Sequence, residues 1–329
     1  MPEQHENLLV SASYDQTIKI WNIADGSMQS TIQHNEGQVN ALSLTSNGRD
    51  LALGAWQKVR IYDVLVSKDP KATIDLPKNV TVVGFEVNGR WMYTGGDDGA
   101  CRIWEMRSNQ LVANRVLPFA PAQVTSMVPN VNQAEMFIST NAGQVTVWDV
   151  TSNETHILPM PEQLGLLESV QKLSVRPDGK RLAGITNRGR LLCWDMKTRQ
   201  IDPTAGRYEI PAVETASGVL LNGGEGCRLN SGYGLSCRYS PDGTYIVASG
   251  SGPDVHVVRA DNMQHTATLR TECNWNWDAI FSEDGRHIFT GGSDSHVKVW
   301  DTSSASMVAH YAGHTKPITA MCINNPPHH

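Results

Sequence analysis

The fold is decided by the stretch from Asn274 to Asp301, which reads NWNWDAIFSEDGRHIFTGGSDSHVKVWD. An apolar run ending at Phe281 leads into the pair Asp284-Gly285, a second apolar run follows, and a third ends at Trp300. Asp-Gly between apolar runs is a strong hairpin signal, because its backbone twist matches that of flanking antiparallel strands. The stretch therefore predicts three short antiparallel strands.

The same unit recurs along the chain. The corresponding strand ends are Trp21, Tyr62, Trp104, Trp148, Trp194, Val258 and Trp300, at intervals of 41, 42, 44, 46, 64 and 42 residues. Turn glycines stand 14 or 15 residues before five of these ends, at Gly48, Gly89, Gly179, Gly243 and Gly285. This register keeps Val258 in the series although its aromatic ring is lost. A period of about 40–45 residues with four strands resembles that of WD-repeat β-propellers, so seven strand ends predict seven blades, which we number in chain order.

The two ends of the chain are incomplete in a complementary way. Near the N-terminus, a second strand at Leu8 has no first strand before it, and the run from Ile318 to Ile323 is a first strand without a second. We expect residues 7–33 plus 317–324 to form one closing blade, blade one, in which the N-terminal strands pair with the C-terminal strand. Such pairing removes an exposed sheet edge.

The predicted architecture is accordingly a single all-β domain over residues 1–329, a closed seven-bladed WD40 β-propeller. The one irregular region is a loop insertion at 201–234, rich in Gly, Pro and small polar residues. Long surface insertions cost little loop entropy. A tolerated insertion and a specialised partner contact are both compatible with the sequence.

Composition narrows the functional class. The chain has 27 Lys and Arg against 33 Asp and Glu, a net charge of −6, which argues against nucleic acid as a partner. Six scattered cysteines without a C-x-x-C pair favour a reducing compartment. No apolar run approaches the ~20 residues of a membrane span. We therefore expect a soluble cytoplasmic protein with no membrane span.

A repeated aspartate stands six residues before three strand ends, at Asp15, Asp98 and Asp294. In WD-repeat blades this residue joins a loop His, a Ser or Thr and the Trp indole in a buried hydrogen-bond chain, and a fully satisfied chain fixes the blade geometry. Only the closing blade has all four residue types, namely Ser11, Asp15, Trp21 and His314. The set is predicted to be structural. A catalytic Ser–His–Asp arrangement needs an accessible serine and an oxyanion hole, and Ser11 lies within a strand.

Other chemical motifs are absent from the sequence. There is no G-x-x-x-x-G-K-[ST] phosphate loop and no zinc-ligand spacing. We expect no enzyme activity, no cofactor, no metal and no small-molecule substrate.

Blade five is locally basic, with eight cationic residues, Lys172, Arg176, Lys180, Arg181, Arg188, Arg190, Lys197 and Arg199, against Asp178 and Asp195. In an acidic protein these charges are either solvated strand-edge residues or a docking face for an acidic partner segment.

Two tryptophans distinguish blade seven. Trp277 shares strand parity with Ala279 and Phe281, which predicts that it packs in the core between blades. Trp275 precedes the inner strand, near the mouth of the central channel, where an exposed aromatic residue is a candidate interface anchor. Tyr14 and Tyr233 fall on the same face by repeat position.

Several runs resemble the G-protein-β-subunit-like protein of the TOR kinase complexes. They are Leu9–Trp21, Thr31-Ile32-Gln33-His34, Gln38-Val39-Asn40, Gly89-Arg90-Trp91-Met92 and Trp275–Ser282. The resemblance implies a non-catalytic subunit that docks on the C-lobe of a TOR-type serine/threonine kinase domain, alongside other TOR complex subunits and peripherally on endomembranes through the complex. Carried over by position, the docking face would be lined by Tyr14, Gln38, Asn40, Tyr233, Trp275 and Asn276. The sequence departs from the family at the 201–234 insertion and at Val258-Arg259, which replaces Trp-Asp.

A second function remains open at this point. Propellers also serve as peptide- or tail-binding adaptors, such as ubiquitin-ligase substrate receptors and histone readers. A reader of this kind predicts a compact aromatic or acidic pocket at the channel mouth, whereas a subunit that docks on a kinase lobe predicts a broad, mixed rim.

Overall fold

Seven antiparallel sheets of at least four strands each make up the structure, a computed structural model that describes residues 7–106, 111, 113–161, 167–202, 227–228 and 232–324. In six of the sheets the strands follow one another in chain order, and in the seventh the last strand of the chain joins the first three. The all-β, seven-bladed propeller predicted from the repeat is confirmed.

The first three blades contain the two ends of the described chain. Blade one consists of β1 (Leu8–Ser13), β2 (Thr17–Asn22), β3 (Met28–Gln33) and, from the C-terminus, β29 (Ile318–Ile323). Blade two consists of β4 (Val39–Leu44), β5 (Asp50–Ala55), β6 (Lys58–Asp63) and β7 (Ala72–Asp75). Blade three consists of β8 (Val80–Phe85), β9 (Trp91–Gly96), β10 (Ala100–Glu105) and β11 (Ala113–Pro118).

The other four blades complete the ring. Blade four consists of β12 (Val124–Pro129), β13 (Glu135–Thr140), β14 (Val145–Asp149) and β15 (Thr155–Leu158). Blade five consists of β16 (Val170–Val175), β17 (Arg181–Thr186), β18 (Arg190–Asp195), β19 (Gln200–Ile201) and the short β20 (Cys227–Arg228), which also pairs with β18. Blade six consists of β21 (Gly234–Tyr239), β22 (Tyr245–Gly250), β23 (Asp254–Arg259) and β24 (His265–Arg270). Blade seven consists of β25 (Asn276–Phe281), β26 (His287–Gly292), β27 (Val297–Asp301) and β28 (Met307–Tyr311).

The ring closes through β1, which pairs antiparallel with both β2 and β29. Leu9 lies opposite Ile323 across the closing pair, and the amide of Leu8 donates a 2.7 Å hydrogen bond to Oδ1 of Asn324. The predicted pairing of the N-terminal strands with the C-terminal strand is therefore confirmed. Most of the 201–234 insertion lies outside the described residues.

The core lies between neighbouring blades rather than within one. One cluster brings Leu182 and Trp194 of blade five against Phe137 and Val147 of blade four, all nearly inaccessible to solvent. Each large apolar side chain buried in this way contributes about 1.5–3 kcal/mol. Val258 is fully buried at the position that a tryptophan takes in other blades, so the register read from the turn glycines is correct.

The hairpin turns explain why those glycines recur. Gly89 and Gly285 have φ angles of 64° and 68°, in the left-handed region where a side chain is strained. Across the residues that the structure describes, no helix is long and apolar enough to cross a bilayer.

Candidate functional site

One face of the ring gathers the loops that enter the innermost strand of each blade and the turns between the second and third strands. The amide of Tyr14, in the β1–β2 turn, bonds to the carbonyl of Pro317, just before β29 (3.0 Å). The amide of Ser293, in the β26–β27 turn, likewise bonds to the carbonyl of Trp275, just before β25 (3.0 Å). We call this face, at the mouth of the central channel, the rim face.

An aromatic row crosses the rim face from blade seven to blade one. The indole of Trp275 is 39% exposed and stacks on that of Trp277 with ring centroids 5.6 Å apart. Trp277 meets the ring of Tyr14 edge to face at 6.3 Å. These three side chains, the aromatic row, form one continuous surface, because each is in ring contact with the next.

The position of Trp277 corrects the sequence prediction. Its side chain is half-buried in the aromatic row, whereas Ala279 and Phe281 are buried in the core. The register of β25 against β26 shifts between Asn276 and Asp278. This bulge inserts one extra residue and reverses the alternation of side chains before it, so strand parity with Ala279 does not hold for Trp277.

Asn276 is a second correction. It is only 1% exposed, and its Nδ2 donates a 2.8 Å hydrogen bond to the carbonyl of Gly252 in the β22–β23 turn. The residue therefore ties blade seven to blade six from the inside. The expectation that it lines a docking face is wrong, since its amide is not presented to solvent.

Tyr233 extends the rim face to blades five and six. Its ring is 39% exposed, and its hydroxyl donates to Oε1 of Gln171 in β16 (3.1 Å). Partial burial raises the pKa of the Tyr233 hydroxyl. The amide of Tyr233 donates to Oγ of Ser251 (2.7 Å), and Ser251 forms a β-bridge with Trp275. One bridging residue thus connects Tyr233 to the aromatic row.

The remaining two predicted residues lie on the blade-two side of the same face. Gln38 and Asn40 are both half-buried. Nδ2 of Asn40 donates to Oδ1 of Asn79 (2.7 Å) and to the carbonyl of Val80 (3.0 Å), both next to or in blade three. Asn40 therefore joins two blades, and both hydrogen bonds that its Nδ2 can donate are already formed within the protein.

Trp56 is an exposed aromatic residue of the rim face that the sequence analysis missed. It lies in the β5–β6 turn, is 60% exposed, and borders a recess of about 300 Å³ with Glu36, Gln57, Lys58, Asp75 and Leu76. The repeat position of Trp56 in the sequence could have identified it. Trp56 stands six residues before the strand end Tyr62, so an indole occupies the turn position that holds Asp15, Asp98 and Asp294 in blades one, three and seven.

The closing blade brings its four predicted polar residues into one hydrogen-bonded chain. Nε1 of Trp21 donates to Oγ of Ser11 (2.8 Å), and Oγ of Ser11 lies 2.8 Å from Nε2 of His314. Nδ1 of His314 lies 3.0 Å from Oδ2 of Asp15. Burial opposes the charge on Asp15, yet hydrogen bonds from Thr17 and from a backbone amide hold its pKa at about 2. Ser11 is fully buried, so the chain holds the blade together and offers no nucleophile.

Blades three and seven form shorter versions of this chain. The indole of Trp104 donates to Thr94 (3.0 Å) and that of Trp300 donates to Thr290 (2.9 Å). Their turn aspartates pair with cations four residues later, in the ion pairs Asp98–Arg102 (2.6 Å) and Asp294–Lys298 (2.7 Å). A nearby cation therefore takes the place of the histidine. Within the described ranges, no group of three His, Cys, Asp or Glu side chains could hold a metal ion.

Comparison with known proteins agrees with this architecture. The family model described as "WD domain, G-beta repeat" matches residues 3–22, 69–105 and 268–301. These segments fall in blades one, three and seven, together with short flanking stretches of blades two and six.

Two relatives align over nearly the whole chain and a third over more than half of it. The Drosophila melanogaster "Protein LST8 homolog" is 32% identical over 327 residues, covering 98% of this chain and 97% of its own. The Bos taurus "Target of rapamycin complex subunit LST8" is 29% identical over 337 residues, covering 97% and 95% respectively. The Saccharomyces cerevisiae protein of the same name is 33% identical over 192 residues, 57% of this chain and 61% of its own. At 32% identity over nearly the full length of both this chain and the Drosophila protein, the chain belongs to the LST8 family.

Proposed function

We propose that the protein is a non-catalytic subunit of a target of rapamycin kinase complex and that its rim face docks on the C-lobe of the kinase domain. Two of the relatives named above are called target of rapamycin complex subunits. The observation that carries the docking face is the aromatic row, in which Trp275 is 39% exposed beside two further rings. Aromatic residues that are partly exposed in the unbound protein are typical anchors of protein interfaces.

The proposed mechanism is mass action. A closed ring of blades changes shape little when it binds a partner. The propeller therefore offers the kinase lobe a rigid binding surface. If that surface binds only the folded kinase lobe, it stabilises that lobe by an amount set by its concentration relative to the dissociation constant. No catalytic group of the propeller takes part.

The breadth of the rim face favours a docking subunit over a peptide reader. Tyr233, the aromatic row and Trp56 span blades six, seven, one and two. The recess beside Trp56 is open and holds one aromatic ring, and its Glu36 is already paired with Lys58 (2.9 Å) and Arg60 (2.6 Å). An aromatic cage for a modified lysine needs several rings.

Affinity purification of the native protein followed by mass spectrometry tests the proposal. We expect recovery of a large kinase of the TOR type in stoichiometric amount. Trp275→Ala and Trp56→Ala should each reduce kinase recovery, while Leu65→Ala, which removes a 73% exposed side chain from the β6–β7 loop, should not. A stable complex without any such kinase would overturn the proposal.

The place of action follows from the same proposal. We propose that the protein acts in the cytoplasm and, through its complex, at the surface of endomembranes. Imaging of a tagged chain in cells with and without the kinase checks this, since the membrane-associated fraction should disappear when the kinase is depleted.

A further inference from the structure

The face opposite the rim face carries a recess at the boundary between blades four and five. In blade five, β16 starts at the rim face, so the β16–β17 and β18–β19 turns lie at the opposite end of the ring. The recess has a volume of about 380 Å³. We call it the seam recess, and its lining residues are Asn130, Glu135, Phe137, Val147, Gly179, Lys180, Asp195, Met196, Lys197 and Arg199.

Of the eight cationic residues of blade five, four arginines form ion pairs and two lysines lie exposed at the edge of the seam recess. The ion pairs are Arg176 with Asp261, Arg181 with Asp202, Arg190 with Glu168 and Arg199 with Glu135. Lys180 and Lys197 are exposed at the edge of the seam recess. Neither lysine has a carboxylate within ion-pair distance among the residues that the structure describes.

The two carboxylates of the recess are occupied by other groups. Glu135 accepts hydrogen bonds from Arg199 (2.9 Å) and from Nδ2 of Asn130 (2.8 Å). Asp195 accepts from the backbone amides of Lys197 (2.9 Å) and Thr198 (2.8 Å), which hold its turn and lower its pKa. Asp195 keeps its negative charge because these donors are neutral amides, so the lining holds three cations, Lys180, Lys197 and Arg199, against two carboxylates, a net charge of +1.

Below this charged edge the recess is apolar. Phe137 and Val147, from two strands of blade four, close the bottom with little exposed surface (1% and 3%), and the half-buried Met196 of blade five is its more accessible apolar side chain. A cavity of this size is typical of sites that receive a side chain or a small ligand. A cationic edge over an apolar bottom is complementary to an apolar group flanked by negative charge.

We propose that the seam recess binds a short acidic peptide segment of a partner protein, with one apolar side chain in the recess and flanking carboxylates at Lys180 and Lys197. The apolar bottom favours a peptide over a simple anion, because an anion alone leaves that surface unfilled. The net charge of the whole chain is −6, so this local positive site also selects where an acidic segment can approach. The site lies on the opposite face from the rim and does not depend on the function proposed above.

Fluorescence anisotropy tests the proposal directly on the purified full chain. The probe is a fluorescein-labelled peptide with glutamate and aspartate on both sides of one leucine. We expect saturable binding that weakens as salt is added, because salt screens exposed charges. A peptide of the same charge with glycine in place of the leucine should bind at least about fivefold more weakly, which corresponds to about 1 kcal/mol.

Variants assign the binding to the seam recess. The double variant Lys180→Glu/Lys197→Glu should raise the dissociation constant of the leucine peptide by at least about tenfold. The matched control Lys68→Glu/Lys78→Glu makes the same change in net charge at two exposed lysines outside the recess and should bind like the unmodified protein. Thermal melting of each variant confirms that it is folded.

Three outcomes would overturn the proposal. They are absence of saturable peptide binding, equal loss of binding in the control variant, and full displacement of the peptide by millimolar inorganic phosphate, which would make the recess a simple anion site. A recess variant that loses the peptide but still recovers the kinase supports this inference separately from the proposed rim-face function.

Discussion

The indole rings of Trp275 and Trp277 stack with centroids 5.6 Å apart and planes inclined by 21°. The bulge at Asn276 and Asp278 makes this contact, because it places both rings on the rim face instead of sending one into the core.

Replacing the two stacked tryptophans should lower the free energy of unfolding by different amounts. Trp277→Ala removes ring contacts with both Trp275 and Tyr14 and should lower the free energy of unfolding by about 1–2 kcal/mol. Trp275→Ala removes one contact of a 39% exposed ring and should cost less than about 1 kcal/mol. Urea denaturation of both variants measures the difference. Loss of the folded state in Trp275→Ala would show that the residue is part of the core.

A buried carboxylate joins three blades at the central channel. Asp278 of β25 accepts hydrogen bonds from Ser236 (2.7 Å) and Arg238 (3.1 Å) of β21, and from the amide of Met321 of β29 (3.1 Å). Although burial opposes its charge, Arg238 and Lys172 lower the pKa of Asp278.

Asp278→Ala leaves Arg238 without its ion-pair partner and should lower the free energy of unfolding by about 2–4 kcal/mol. This range lies below the cost of breaking a fully buried pair, because the Arg238 side chain is 34% exposed. Asp69→Ala, at an exposed aspartate, is the matched control and should change stability by less than about 0.5 kcal/mol. Equal stability of the two variants would show that Asp278 does not hold the blades together.

The hydrogen-bond chain of the closing blade predicts that Ser11→Ala lowers the free energy of unfolding more than Thr290→Val does. Ser11 contacts both Trp21 and His314, whereas Thr290 accepts from Trp300. Ser11→Ala should cost about 2–3 kcal/mol because it leaves two buried groups without a partner, and Thr290→Val should cost about 1 kcal/mol. Chemical denaturation compares them. Equal costs would mean that His314 adds nothing to the stability of the closing blade.

Buried histidines predict that stability falls in mild acid. Burial and the neighbouring His265 lower the pKa of His256 from 6.5 to about 4. Burial and the nearby Arg60 lower the pKa of His34, and burial lowers that of His314 despite the opposing effect of Asp15. The unfolded chain therefore binds more protons than the folded one below pH 6.5, so the stability present at neutral pH is lost as the pH falls towards 4.

His256 alone should account for about 1–2 kcal/mol of this loss by pH 5. Urea denaturation at pH 7, 6 and 5 measures the slope, and His256→Gln should flatten it. His156→Gln, at an exposed histidine, controls for removal of an imidazole. A steeper slope in His256→Gln would contradict the assigned cause.

The sequence by itself determined the architecture. The recurrent strand ends and turn glycines predict seven blades, because each hairpin is specified by local periodicity and by turn residues that few alternatives can replace. The hydrogen-bond chain of the closing blade could also be predicted from the sequence, since Ser11, Asp15, Trp21 and His314 are the residue types that such a buried chain requires. Even Val258 could be assigned, from the distance to Gly243 rather than from its own identity.

Only the tertiary structure decided which side chains reach the surface. Because of a bulge of one residue, Asn276 is buried and Trp277 lies on the rim face, the reverse of what the sequence predicted. Residue spacing does not reveal a bulge, because a bulge depends on how the strand pairs with its neighbour. The ion pairs of blade five also depend on the tertiary structure. The partners Glu135 and Asp261 lie in blade four and in a blade-six loop, so only the folded ring separates paired arginines from Lys180 and Lys197.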